Sequence, residues 1–378
     1  MFNKKYFYYL RKRENFALSV MSTVANKEYK LFDDPLQFYN AMLTDIHKAK
    51  KYIYLETFRF NNDSIGIKFR DALTKKSQEG VEIKLLLDSW GTSLPSHFFS
   101  DLVRNGGEYR FFQKIRFFWD FFTKNHRRNH RKLLIIDDEI TYVGSANITG
   151  YSLNWRESVL RMRSDIAAKF KKAFLEQYEI YNKYVFEKLV NIRKIDSEDC
   201  EVIRDFPSLT KQRIRKKYLQ LIKSAEKEIV IETPYFLPGY ILRNALTDAV
   251  NRGVSVKIII PKHSDVRLID VLRNRYLGLL SKNGVNILFY TSNNLHAKLI
   301  MIDEKQCSVG SANFDYRSFR YQHEIVLVFT DKSVVSQVSR HIRATLLNCV
   351  SFDYESWSHR SPVQKFFEWI LLPLRHLL

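Results

Sequence analysis

Two sets of histidine, lysine, aspartate, serine and asparagine occur in the same order and spacing at two places in this sequence. In each set a lysine follows the histidine by two residues, an aspartate follows it by seven, and a Gly-Ser-Ala-Asn segment begins fourteen residues after it. The first set consists of His130, Lys132, Asp137, Ser145 and Asn147, and the second of His296, Lys298, Asp303, Ser311 and Asn313. One such segment alone is most often a surface feature or a turn, whereas both segments in two copies indicate a functional site.

These residue types suit catalysis at a phosphodiester and require neither a metal ion nor another cofactor. On a β-strand, His130 and Lys132 leave the same face and can reach one site together. One histidine can attack phosphorus while the other protonates the leaving alkoxide, and the two lysines neutralise the phosphoryl oxygens. An alcohol or water then releases the phosphohistidine. Small donors are predicted to bind the substrate phosphate, namely Ser145, Asn147, Ser311 and Asn313.

Four carboxylates accompany the two sets. On a regular strand, Asp137 and Asp303 point away from the face that carries histidine and lysine, which favours a role in bracing the following loop. Each catalytic imidazole also needs a partner on its second ring nitrogen, because that partner fixes the tautomer. Glu157 and Glu324 lie ten and eleven residues after the asparagine of their copies. We therefore predict that these two glutamates orient the histidines.

The elements that position these residues also occur twice. A strand, a helix and a second strand are predicted in the same order at 49–57 and 80–88, and again at 225–233 and 253–261. This order is typical of βαβ units. The sequence therefore predicts an α/β fold in which two homologous lobes pack pseudo-symmetrically with the active site between them. The predicted segments are a basic, aromatic N-terminal segment (1–26), the first lobe (27–185), a connection (186–209), the second lobe (210–350) and an apolar C-terminal tail (351–378).

The charge balance narrows the class of partner. Lysine and arginine number 61 and aspartate and glutamate 41, which gives a net charge of +20. Such an excess favours a polyanionic partner, either nucleic acid, an anionic membrane surface or a phosphate-bearing substrate. The three cysteines are isolated in sequence, which argues against a zinc site or a disulfide framework. No stretch approaches the 18 apolar residues of a membrane span, and the N-terminus does not resemble a signal peptide, so we expect neither secretion nor membrane spanning.

The paired His-x-Lys-x₄-Asp and Gly-Ser-Ala-Asn segments resemble those of the phospholipase D superfamily. The segments 231–238 and 310–318 are similar to bacterial cardiolipin synthases. The resemblance implies metal-independent phosphatidyl transfer, in which two phosphatidylglycerols give cardiolipin and glycerol. It implies a catalytic set, with His130 as the nucleophile and His296 as the acid and base, that consists of His130, Lys132, Asp137, His296, Lys298 and Asp303.

The sequence also departs from this family in two places. Many cardiolipin synthases have N-terminal membrane helices, and none is visible here. The first Gly-Ser-Ala-Asn segment continues as Ile-Thr-Gly-Tyr-Ser at 148–152, where the second continues as Phe-Asp-Tyr-Arg-Ser at 314–318.

Two apolar segments bear on the substrate class. Residues 111–124 interleave aromatic and basic side chains just before His130, and residues 363–378 are strongly apolar but too short to span a bilayer. The first segment fits an interfacial wedge, part of the core of the first lobe, or a platform for single-stranded nucleic acid. The second fits either an interfacial helix or a helix that caps the core.

We interpret the chain as a phosphatidyltransferase bound peripherally to the cytoplasmic face of a bacterial membrane. Its expected partner is an anionic phospholipid membrane with phosphatidylglycerol as substrate, no nucleic acid is expected, and the oligomeric state stays open. The alternatives are hydrolysis of phospholipids to phosphatidic acid, a metal-independent nucleic-acid phosphodiesterase, and a catalytically silent binding module.

Overall fold

The first half of the chain folds around a seven-stranded mixed sheet. The computed structural model describes residues 27–114, 125–183 and 195–376. Expectations for residues 1–26, for 115–124 of the aromatic and basic segment, and for 186–194 of the connection therefore concern residues outside those described. The elements of the first lobe are β1 (Glu28–Phe32), α1 (Pro35–Lys48), β2 (Tyr52–Thr57), α2 (Ser64–Gln78), β3 (Glu82–Asp88), α3 (Ser100–Arg104), β4 (Glu108–Phe112), β5 (Arg128–Asn129), β6 (Leu133–Ile136), β7 (Ile140–Gly144), β8 (Val159–Arg163) and α4 (Ile166–Glu179).

The second half repeats this order around a larger sheet. Its elements are β9 (Ile195–Ser197), β10 (Cys200–Asp205), α5 (Arg213–Ser224), β11 (Glu228–Glu232), β12 (Phe236–Leu237), α6 (Tyr240–Asn251), β13 (Ser255–Pro261), α7 (Arg267–Lys282), β14 (Asn286–Tyr290), β15 (Leu299–Ile302), β16 (Gln306–Gly310), β17 (Phe314–Asp315), α8 (Tyr316–Tyr321), β18 (Gln322–Phe329), α9 (Lys332–Leu346), β19 (Cys349–Ser351), α10 (Tyr354–Ser358), α11 (Pro362–Ile370) and a 3₁₀ turn (Leu372–His376).

The two sheets have equivalent strand orders. The first runs β1-β8-β7-β6-β2-β3-β4. Read in the same direction, the second runs β9-β10-β18-β16-β15-β11-β13-β14-β19, in which β10 to β14 correspond to β1 to β4 and the end strands β9 and β19 are additional. In the first sheet β2, β3 and β4 are parallel, as are β11, β13 and β14 in the second, while the motif strands beside them run antiparallel. The prediction of two homologous α/β lobes is confirmed, although each sheet is mixed rather than wholly parallel.

Apolar runs explain why the parallel strands lie at the centre of each lobe. Residues 85–87 of β3 and 258–260 of β13 are fully buried. Strands that are covered on both faces require such continuous apolar runs. The sheets are therefore enclosed, and polar groups can gather only where the strands end.

One hydrophobic core joins the lobes. A single cluster contains Leu160 of β8 and Leu327 of β18, together with side chains of α4 and α9. Helix α9 of the second lobe also lies over the edge strand β1, where the Gln337 side-chain amide accepts from the backbone N–H of Leu31 and donates to the Tyr29 carbonyl. This shared core fixes the relative position of the lobes and of the groups that they bring together.

The part of the chain that the structure describes contains no helix long and apolar enough to cross a membrane.

Candidate active site

The two motif histidines and lysines lie at the same end of equivalent strands. His130 and Lys132 precede β6, and His296 and Lys298 precede β15; all four side chains are buried. Each lysine folds back on its own histidine, since Lys132 Nζ donates to the His130 carbonyl at 2.8 Å and Lys298 Nζ to the His296 carbonyl at 2.7 Å. Each ammonium is thus anchored to the main chain of its own histidine.

Each histidine is held by a glutamate from the opposite lobe. His130 Nδ1 lies 2.9 Å from Oε1 of Glu324, and His296 Nδ1 lies 2.9 Å from both carboxylate oxygens of Glu157. The sequence predicts these two glutamates as orienting residues but does not assign them to particular histidines. With Nδ1 committed in this way, Nε2 is the ring nitrogen that each histidine has for chemistry.

The backbone reinforces this exchange between the lobes. The His130 N–H donates to the His323 carbonyl at 3.0 Å, because β5 pairs with the start of β18. On the other side, the His296 N–H donates to the Arg156 carbonyl at 2.8 Å. The residue before each glutamate thus fixes the main chain of the histidine that the glutamate contacts.

The motif serines do not have the hydrogen-bonding partner that the sequence predicts. Ser145 Oγ donates to Glu157 and Ser311 Oγ donates to Glu324, and both hydroxyls are buried. A hydroxyl has one proton to donate, and here the carboxylate receives it. The prediction that these serines donate to the phosphate is therefore corrected, because they support the glutamates that hold the histidines.

The motif asparagines lie at the same strand ends. Asn147 Oδ1 accepts from the backbone N–H of Arg59 at 3.2 Å, so its amide NH₂ is the group that can donate elsewhere. The backbone N–H of Asn313 donates to Ser318 Oγ at 3.1 Å, and its Oδ1 is buried without a partner among the described residues. Phosphate binding by Asn147 and Asn313 stays a prediction.

The two motif aspartates lie at the far end of their strands. Asp137 accepts from the backbone N–H groups of Lys50, Lys51 and Tyr52 and has a φ of 52°. It stands five residues from Lys132, which is about 16 Å along an extended strand. Asp303 binds the backbone N–H groups at 226–228 in the same way, with a φ of 55°. Their inclusion in the catalytic set is corrected, because these carboxylates brace a turn remote from the histidines.

Burial determines the charge of the histidines and lysines. It lowers the pKa of His130 well below the usual value, and the nearby Lys132 and Lys298 lower it further. Burial also lowers the pKa of Lys132 to about 7 and that of Lys298 to about 8. His130 is therefore a neutral imidazole at physiological pH, and the lysines gain protons readily when an anion enters.

The two histidine–glutamate pairs differ in charge. Burial raises the pKa of Glu324 to about 7, although Lys132 opposes the shift. Burial alone would also raise the pKa of Glu157, but the charges of His296 and Lys298 outweigh it and the pKa is lowered. Burial lowers the pKa of His296, and the Glu157 carboxylate opposes that shift. The Glu157 carboxylate thus favours the protonated form of His296, although burial keeps the pKa of that histidine below its usual value.

Two further buried glutamates escaped the sequence analysis. Glu56 is the penultimate residue of β2 and accepts from Asn129 Nδ2 at 2.7 Å, which fixes the segment before His130. Glu232 ends β11 and lies 2.8 Å from His341 Nε2. Both are fully buried. The sequence does contain a signal for these two residues, because an acidic residue followed by threonine ends an otherwise apolar strand in both halves.

Comparison of the sequence with known proteins identifies the family to which this site belongs. The family model described as "Cardiolipin synthase, PLD-like domain" matches residues 42–178 and 218–346, which is more than half of the chain. This chain belongs to that family. A cardiolipin synthase of Clostridium perfringens is 31% identical over 374 residues, covering 94% of this chain and 78% of that protein. The major cardiolipin synthase of Bacillus subtilis is 30% identical over 337 residues, covering 85% of this chain and 69% of that protein.

A solved structure shares the fold of this family member. The phosphatidylserine synthase of Haemophilus influenzae superposes with a TM-score of 0.71 at 15% identity, over 93% of this chain and 95% of that one.

Within residues 27–114, 125–183 and 195–376, no group of three or more histidine, cysteine, aspartate or glutamate side chains could hold a metal ion.

The bracing role of Asp137 predicts a loss of stability. Replacement by alanine should lower the free energy of unfolding by about 2 kcal/mol, because three backbone N–H groups lose a charged acceptor. Asp137→Asn retains an acceptor and tolerates positive φ, so it should lose less. Denaturant titration measures both, with Glu139→Ala on the exposed turn as the control. A D137A variant as stable as the wild type would refute the bracing role.

Proposed function

We propose that this protein is a phosphatidyltransferase that makes cardiolipin and glycerol from two phosphatidylglycerols through a phosphohistidine. The observation that carries the proposal is the pair of histidines, each with Nδ1 on a glutamate of the opposite lobe at 2.9 Å, in a member of the cardiolipin synthase family. Such a pair supplies both a nucleophile and an acid at one phosphorus atom.

In the first step His130 attacks the donor phosphodiester. The lone pair of Nε2 forms a bond to phosphorus while the bond to the glycerol oxygen breaks, and His296 gives its proton to that oxygen. The lysines and the asparagine amides stabilise the charge on the phosphoryl oxygens. The bound anion also raises the proton affinity of His296 and of both lysines, so the charged forms are favoured when substrate is present.

In the second step the acceptor alcohol replaces glycerol. His296, now neutral, takes the proton from the alcohol hydroxyl, the new P–O bond forms, and the P–N bond to His130 breaks. The charge difference between the two pairs supports this assignment of roles. The pKa of His130 is lowered further than that of His296, which keeps His130 neutral for attack, whereas the ionised Glu157 supports a protonated His296.

Product analysis tests the reaction type. Purified protein on phosphatidylglycerol vesicles without divalent metal should release one glycerol for each cardiolipin, and His130→Ala and His296→Ala should form neither. Mass spectrometry of the lipids measures the outcome. Phosphatidic acid as the sole product would make the enzyme a hydrolase. If the folded protein turns over no lipid, the substrate is not a lipid, and oligonucleotides become the next substrates to test.

The C-terminal helix supports a peripheral position on an anionic membrane, which we assign to the cytoplasmic face. In α11 the buried side chain is Glu368, which accepts from Arg360 at 3.1 Å and from Asn274. Its large apolar side chains face solvent, with Phe366 53% and Trp369 62% exposed. A helix that caps the core would have the opposite arrangement. Exposed aromatic side chains on an amphipathic helix are the usual means of interfacial insertion.

Vesicle binding tests this surface. Replacing Phe366 and Trp369 together by serine should weaken partition onto phosphatidylglycerol vesicles at least about tenfold, because two aromatic side chains no longer leave water on binding. Co-sedimentation measures the partition. The control is Leu347→Ser, a single apolar side chain that is 87% exposed outside α11. Equal binding by the double variant and the wild type would exclude α11 as the membrane contact.

A further inference from the structure

The loops after β2 and β11 are structural equivalents with different side chains. Thr57 Oγ1 donates to the carbonyl of Arg59 at 3.2 Å, and Thr233 Oγ1 donates to the carbonyl of Tyr235 at 3.0 Å. The same turn therefore presents an arginine in the first lobe and a tyrosine in the second.

The segments after the motif asparagines are equivalent as well. Ile148 and Phe314, each directly after an asparagine, pair in parallel with Phe60 and Phe236. The third residue beyond these pairs is Tyr151 in the first lobe and Arg317 in the second. Each lobe thus contains one arginine and one tyrosine beside the motif, but the two residue types have exchanged places.

The exchange places the two guanidinium groups on different sides of the site. Arg59 Nη1 donates to Tyr151 Oη at 2.8 Å, the Tyr151 ring lies 5.2 Å from Trp155, and Trp155 lies 5.3 Å from the His296 ring. A row of side chains therefore connects Arg59 to His296.

Arg317 extends to the other side. Its guanidinium lies 6.0 Å from the ring of Trp90 in the first lobe, and its charge contributes to the low pKa of His130. Arg59 makes no carboxylate ion pair among the described residues. Burial lowers the pKa of Arg317, and the carboxylates of Asp315 and Asp88 oppose that shift from beyond ion-pair distance. Two arginines thus flank the site, with Arg59 linked to the His296 side and Arg317 acting on the His130 side.

The chemistry distinguishes these two positions. In-line displacement requires the acceptor alcohol to approach phosphorus from the side opposite His130, where His296 takes its proton. An acceptor phosphatidylglycerol also has its own phosphate, three carbons from the reacting hydroxyl, and that charge enters on the His296 side. A guanidinium has five N–H donors and binds phosphate well, and the contact with Tyr151 uses only one of them.

We propose that Arg59, oriented by Tyr151, binds the non-reacting phosphate of the acceptor lipid and so selects a phospholipid over a small alcohol. This inference rests on the proposed cardiolipin synthesis. The covalent steps are those given above: the acceptor hydroxyl forms the P–O bond, its proton goes to His296, and the P–N bond of His130 breaks. Arg59 contributes only to the binding of the acceptor.

A comparison of two acceptors tests the proposal. Phosphatidylglycerol vesicles are incubated with labelled glycerol, so that cardiolipin formation and exchange of glycerol into phosphatidylglycerol draw on the same phosphohistidine. Glycerol has no phosphate for Arg59 to bind. In Arg59→Ala the ratio of cardiolipin formation to exchange should fall roughly tenfold to a hundredfold, the loss expected for one charged hydrogen-bonded contact. Arg59→Lys should restore part of the ratio.

The matched control is Arg317→Ala, which should alter both rates by the same factor. A proportional loss of both reactions in Arg59→Ala would show a structural role and overturn the proposal. A fall of the ratio in Arg317→Ala instead would place the acceptor phosphate on the other side, which also overturns it. Failure of the wild type to form cardiolipin would refute the proposed function, a result separate from either of these.

Discussion

The contact between each imidazole and a glutamate of the opposite lobe is the interaction on which the rest of the site depends. His130 with Glu324 and His296 with Glu157 can form only when both lobes are in place. A buried carboxylate and a buried imidazole are each costly alone and tolerable together. The shared core around Leu160 and Leu327 maintains the lobe positions that this pairing requires. Neither lobe alone forms a complete catalytic group.

Burial gives these pairs their chemical character. In water the lysines would be charged and the histidines partly protonated, whereas here the pKa of Lys132 is about 7 and His130 is neutral. A neutral imidazole beside lysines that take up protons when an anion enters is suited to attack on a phosphodiester. The same environment distinguishes the two pairs, because Glu157 retains its charge more readily than Glu324, and this difference supports the proposed division of roles between His130 and His296.

The sequence predicted the repeat, the two homologous α/β lobes and the choice of Glu157 and Glu324, because spacing and periodicity are local properties. It could not assign each glutamate to a histidine, since that depends on how the lobes meet. The serines were misplaced for a related reason. A hydroxyl next to a phosphate site and a hydroxyl next to a buried carboxylate give the same sequence pattern, and only the contact of Ser145 with Glu157 distinguishes them. Asp137 is separated from His130 because the two lie beyond opposite ends of β6, whereas the motif resemblance grouped them together.

The most direct test of this account is to identify the residue that becomes covalently labelled. His296→Asn, incubated with a phosphatidyl ester of p-nitrophenol, should release one equivalent of nitrophenol and then stop, because this leaving group needs no proton and no base remains to activate an acceptor. Intact-protein and peptide mass spectrometry should then locate one phosphatidyl group on His130. A label on another residue, or turnover without any label, would contradict the central claim that His130 is the nucleophile.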